Sequence, residues 1–172
     1  MTYIMVDIEA DGPIPGDYSM VSFGAVIVDP RLNRTFYGQL QPISDNWVPS
    51  ALAISGHSRE ETLGFEPPAL VMQRFADWIE QEVHDRPQFI ADNNGFDWQF
   101  INWYFHHFLG HNPFGYSSMN LGALYKGLVG DMFQNFKHLR RTRHDHHPVN
   151  DALGNAEALL AMKEKYRLNI RI

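Results

Sequence analysis

The chain of 172 residues has no cysteine, and 14 Lys and Arg against 20 Asp and Glu leave a formal charge of −6. A hydrophobic share of 44% with 13% aromatic excludes a disordered chain, and the length fits a single domain over residues 1–172. The acidic balance excludes attachment to polyanions by bulk positive charge, and the lack of cysteine excludes disulfides and thiolate metal sites and fits a reducing, cytoplasmic setting.

The opening segment Tyr3-Ile4-Met5-Val6-Asp7-Ile8-Glu9 is predicted as a buried strand with polar groups emerging at its C-terminal end. Asp11 to Asp17 is turn chemistry, with prolines at 13 and 15 and glycines at 12 and 16. Strands follow at Met20–Val28 and about Thr35–Gln41, and the short connections suggest an antiparallel meander. Met20–Val28 is also the longest near-apolar run and falls well short of the roughly 20 residues of a bilayer span. Asp7, Glu9 and Asp11 interrupt any signal-peptide pattern, so no membrane partner is expected.

From Pro68 to about Val83 the apolar residues Leu70, Val71, Phe75, Trp78, Ile79 and Val83 form a helical stripe. Gln88–Ala91 is a short strand stopped by Asp92-Asn93-Asn94-Gly95. A helix over about Asp97–Leu109 is apolar around nearly its whole circumference. Such a helix needs burial on two sides, and a homodimer is the expected source of the second. Leu121–Val129 and Met132–Phe136 are shorter helical candidates, Lys137–His144 is a basic loop, and a last helix starts near Pro148. Strands first, then strands mixed with helices, make an α/β layered domain.

Three clusters carry chemistry. Asp7 and Glu9 stand at i and i+2 of a strand, so both carboxylates face one side. Their repulsion is relieved by a hard cation such as Mg²⁺ or Mn²⁺, or else by solvent on an exposed edge. Asn93-Asn94-Gly95-Phe96-Asp97 puts Asp97 at a helix start, as a ligand or as an ordinary cap. Asp92, nearby and of the same type, is read as turn-forming. His144-Asp145-His146-His147 ahead of Asp151 suits a zinc site, a general base or a solvated loop.

Taken in order, the three clusters resemble the motifs of the DEDDh, or DnaQ-like, family of 3′–5′ exonucleases on the ribonuclease-H-like fold. Asp7-Ile8-Glu9-Ala10-Asp11-Gly12 matches the first motif, Asn93-Asn94-Gly95-Phe96-Asp97 the second, and His146 with Asp151-Ala152 the third. The likeness runs from about Tyr3 to Lys163. Asp151-Ala152-Leu153-Gly154-Asn155-Ala156-Glu157-Ala158 is similar to the short bacterial and phage exoribonuclease-like branch. Pro148 departs from the alanine common there. The tyrosine of the DEDDy sister group would stand at His147, so the h-type pattern applies, with His147 and His144 positioning the loop or meeting phosphate.

The resemblance implies a mixed central sheet, antiparallel in its first three strands and flanked by helices. It implies two Mg²⁺ (or Mn²⁺) ions, Asp7 bridging them, Glu9 and Asp151 holding the one that activates water, and Asp97 supporting the other. His146 would be the general base, and Ala10, Asp11 and Gly12 would cradle the terminal nucleotide by their backbone. The expected activity is release of nucleoside 5′-monophosphates from the 3′ end of single-stranded RNA, with DNA as the alternative. Phe96 or Trp98 would stack a base, and Lys137, Arg140, Arg141 and Arg143 would track the strand. The rivals are a zinc or HD-type phosphohydrolase built on His144, Asp145, His146 and His147, and a nucleic-acid-binding module without turnover.

Overall fold

The computed structural model describes residues 1–172. Five strands, β1 (Thr2–Ala10), β2 (Met20–Ile27), β3 (Thr35–Gln39), β4 (Pro87–Ala91) and β5 (Ser118–Asn120), form one sheet in the order β3-β2-β1-β4-β5. The first three make an antiparallel meander, and β4 and β5 add in parallel on the other side of β1. The helices are α1 (Pro49–Ile54), α2 (Arg59–Leu63), α3 (Pro68–Glu82), α4 (Asn94–Leu109), α5 (Leu121–Val129) and α6 (Pro148–Tyr166).

Strand alternation divides the apolar side chains between two cores. Ile4, Val6, Ile8 and Ala10 of β1 join the core beneath α3 and α4. Met5 joins the second core, beneath α5 and α6. Asp7 and Glu9 have the parity of Met5, so they project on the α6 face. There they stand opposite Gly24 and Ser22 of β2, each small.

α6 docks closely because four of its buried residues, Ala152, Gly154, Ala156 and Ala158, are small. Gly24 is required for that approach, since a Cβ there would lie 2.4 Å from Val149 N and 2.5 Å from Pro148 C. No helix is long and apolar enough to cross a membrane.

Several sequence expectations need correction. α4 starts three residues early, because Asn93 C=O accepts from Phe96 and Asp97 N–H, placing Asp97 inside the first turn. Much of its apolar circumference is covered by the same chain. Phe100, Ile101, Tyr104 and Phe105 are in the core, and Trp98 packs edge-on against Phe89 and Phe114, while Trp98, Trp103 and Phe108 stay partly exposed. Residues 132–136 are irregular, not helical. Gly130 ends α5 at φ 68° and Asp131 then accepts from Phe133 N–H, while Met132 and Phe133 find no core to bury in. β5, α1 and α2 had no counterpart among the predicted elements, being too short for a periodic signal.

Candidate active site

The C-terminal end of β1 meets the first turns of α4 and α6. One carboxylate oxygen from each of Asp7, Glu9 and Asp151 lies within 4.8 Å of the others. Asp97, also buried, comes in from α4, and its Oδ1 accepts the Ile8 N–H at 3.1 Å, between the two acidic residues of β1. The four acidic groups proposed from the sequence therefore converge from three distant segments. Asp92 stays outside the cluster.

The His144–His147 loop is folded back onto Asp151. That carboxylate accepts from His146 N–H at 3.1 Å and Asp145 N–H at 3.3 Å, and His144 Nδ1 stands 2.7 Å from its Oδ2. His146 has a φ of 61°, in the left-handed region that favours glycine. The two N–H bonds to Asp151 hold it there. Its ring is half exposed, with Nδ1 3.7 Å from Glu9 Oε1. His147 points elsewhere, stacked on Tyr37 of β3 at 4.9 Å between centroids.

Packing so many carboxylates together disfavours their charged forms. Burial first, then Asp97, Asp151 and Glu9, pushes the Asp7 carboxyl well above the ordinary range, and Arg140 opposes this. Burial and then Asp151 raise Glu9 to about 7. Asp97 rises to about 8, chiefly through burial, against the Ile8 N–H bond that favours its ionised form. A divalent cation cancels the repulsion and offsets the cost of burial. Oxygen-only donors suit hard ions.

Beside Glu9 and His146 opens a cleft of about 620 Å³ lined also by Ala10, Gly12, Val48, Ala51, Ile54 and Phe96. Of the residues expected to cradle a nucleotide, Ala10 and Gly12 line it. Asp11 does not. Its backbone N–H donates to Ser19 C=O, its C=O accepts from Val48 N–H, and its buried carboxylate takes Ser19 N–H and pairs with Arg59 at 2.8 Å. Asp11 instead fixes the turn and ties α1 to it. Phe96 offers a ring to the cleft, whereas Trp98 faces away into the Phe89–Phe114 packing. Arg140 is committed too, pairing with Asp92 at 3.2 Å and donating to Asn155 Oδ1, which leaves Lys137, Arg141 and Arg143 exposed.

Sequence reasoning missed the α1 wall of Val48, Ala51 and Ile54, for which Pro49 in the first helical turn was the one available signal. It also missed Arg140 as a buried cation, paired with Asp92 and Asn155 and acting on Asp7 by its charge, which nothing local distinguishes from its basic neighbours.

Residues 2–162 match the family model described as the 3′-5′ exoribonuclease Rv2179c-like domain. The Escherichia coli protein named 3′-5′ DNA exonuclease Cap18 is 39% identical over 131 residues, which span 73% of this chain and 68% of that protein. Among solved structures, the nuclease domain of 3′hExo, described as a DEDDh family member bound to rAMP, aligns with a TM-score of 0.74 at 15% identity, over 99% of this chain and 96% of that one. Cell-death related nuclease 4 (CRN-4) aligns with a TM-score of 0.77 at 15% identity, over 95% of this chain. This chain spans 64% of that nuclease, under two thirds of its length. At such identities the likeness shows a shared fold, the ribonuclease-H-like mixed sheet expected from the motifs.

Proposed function

The chain belongs to the family of 3′-5′ exoribonuclease Rv2179c-like domains and is a 3′–5′ exonuclease, and we infer that it is of the DEDDh class. From that premise we propose that it shortens single-stranded RNA from the 3′ end, releasing nucleoside 5′-monophosphates by two-metal hydrolysis with His146 as general base. The observation that carries this reading is the convergence of Asp7, Glu9, Asp97 and Asp151 beside His146 at the mouth of one cleft.

The donor set fits two hard divalent cations, because its buried carboxylates outnumber the nearby cationic side chains and protonate in their absence. Asp7, Glu9, Asp151 and Asp97 would hold Mg²⁺ or Mn²⁺, which when bound polarise the phosphoryl oxygens and offset charge on the attacking and leaving oxygens. The apolar wall of Val48, Ala51 and Ile54 and the Phe96 ring enclose the terminal nucleoside. Ala10 and Gly12 lie where the backbone borders it.

His146 takes the proton of the water that attacks phosphorus. The bond from phosphorus to the 3′-oxygen of the preceding nucleotide breaks, and that oxygen leaves with a proton, freeing a 5′-monophosphate. The half-exposed ring of His146, with Nδ1 3.7 Å from Glu9 Oε1, gives an imidazole nitrogen access to a water at the acidic cluster. Lys137, Arg141 and Arg143 are left to meet the remaining strand. Work in a cytoplasmic setting is part of this proposal, supported by the lack of cysteine.

RNA as substrate is supported by the family description, while the likeness to Cap18 favours DNA as the second reading. The HD-type rival needs an all-helical domain, and the five-stranded sheet removes it. The test compares 5′-labelled and 3′-labelled single-stranded RNA and DNA with Mg²⁺ or Mn²⁺ and with chelator. A ladder of one-nucleotide steps from 5′-labelled RNA and immediate mononucleotide from the 3′ label are expected. Internal cuts would overturn the exonuclease mechanism, and degradation of DNA alone would overturn the choice of RNA.

A further inference from the structure

We propose that His144, His146 and Asp151 form a second site, overlapping the acidic cluster at Asp151, for Zn²⁺ or a similar nitrogen-seeking transition ion, and that filling it holds the nuclease off. One donor atom from each of the three lies within 4.8 Å of the others. His144 Nδ1 is already 2.7 Å from Asp151 Oδ2, and the two imidazole centroids are 4.3 Å apart. Asp151 is fully buried and fixed by two backbone N–H groups, whereas the two histidine side chains are 47% and 49% exposed.

Tetrahedral zinc, with bonds near 2.0–2.1 Å, needs donor atoms about 3.3 Å apart. His144 has to withdraw by about half an ångström and His146 to swing in, motions open to exposed side chains rotating over a fixed carboxylate. Two imidazoles and one carboxylate leave a fourth position for water, a donor set that selects zinc over magnesium. The all-carboxylate set of Asp7, Glu9 and Asp151 selects the reverse.

Asp151 belongs to both groups, and that makes them rivals. A cation on its His-facing side withdraws its charge from the Asp7–Glu9 side and repels a second cation there. It also occupies an imidazole lone pair of His146. The inhibitory consequence rests on His146 being the base, as proposed above; the existence of the site does not. Binding order among divalent ions favours Zn²⁺ over Mn²⁺ on nitrogen donors, so micromolar zinc competes in millimolar magnesium.

The experiment has two readouts on the full chain. Imidazole ¹⁵N chemical shifts are followed as ZnCl₂ is added in millimolar Mg²⁺, and the RNA ladder is followed over the same titration. His144 and His146 ring nitrogens should move while those of His147 stay, with the ladder stopping over the same zinc range. In His144→Gln the zinc affinity should fall at least about tenfold, as loss of a ligand demands, and the inhibition midpoint should follow it. Unmoved His144 and His146 signals in the wild type, or equal zinc affinity in a folded His144→Gln, would overturn the site. Movement of both signals with an undiminished ladder would retain the site and overturn its inhibitory role, and with it the reading of His146 as base.

Discussion

Glu9→Gln should make the metal-free protein more stable while ending its metal-dependent activity. Burial and Asp151 raise the Glu9 carboxyl from 4.5 to about 7. At 1.36 kcal/mol per pH unit that shift corresponds to roughly 3 kcal/mol, an upper limit because water reaches the open side of the cleft. The folded state binds the proton more tightly than the unfolded state. Stability of the metal-free wild type therefore falls as pH rises from about 4.5 to about 7 and is level above, as far as this group is concerned.

Glutamine cannot ionise, so the variant escapes that loss. In chelator at pH 8 its melting temperature should exceed that of the wild type by up to about 6–12 °C, taking about 2–4 °C per kcal/mol for a chain of this size, and the gap should close near pH 4.5. Mg²⁺ or Mn²⁺ at about 1,000 times its Kd should reverse the order, since it adds about 4.1 kcal/mol to a protein that binds it, more than the roughly 3 kcal/mol at stake. Thermal unfolding by circular dichroism at the two pH values, with and without metal, checks all of this. A variant less stable than wild type in chelator at pH 8 would refute the claim that Glu9 is an electrostatically strained group awaiting a cation.

Other outcomes follow from the same geometry. Asp7→Asn should reduce release of 5′-mononucleotides below detection and, like Glu9→Gln, raise the melting temperature in chelator; full activity in the purified variant would remove Asp7 from the metal set. His146→Ala should slow single-turnover cleavage by about 10²-fold or more and His147→Ala only a few-fold, and the opposite ranking would move the base by one residue. Gly24→Ala should cost about 1–3 kcal/mol and lower the rate with it, because the added methyl meets the Pro148–Val149 backbone and pushes the start of α6 off the sheet. Gly127→Ala in α5, with open space around it, is the matched control and should stabilise by up to about 1 kcal/mol.

Strand parity, turn chemistry and the order of acidic motifs are local properties, and they were readable from residues alone. The parity of Asp7 and Glu9 follows from a two-residue repeat that no tertiary contact alters. The prolines and glycines of 12–16 and the Pro148 start of α6 mark their boundaries by backbone sterics. The four acidic positions and His146 came forward only through the family resemblance, since each cluster by itself also reads as a solvated edge, a helix cap or a polar loop.

What escaped was set by contacts between distant segments. Asp11 looks like a site residue until Arg59 and Ser19 claim it. Arg140 looks like its loop neighbours until Asp92 and Asn155 bury it. Gly24 reads as an unremarked small residue until α6 packs on it. The apolar pattern says that a side chain must be buried but not against which partner, because hydrophobic burial has no direction. Only the packed chain assigns those partners. It thereby decides which cation is buried, which wall closes the cleft, and which histidine turns toward Glu9.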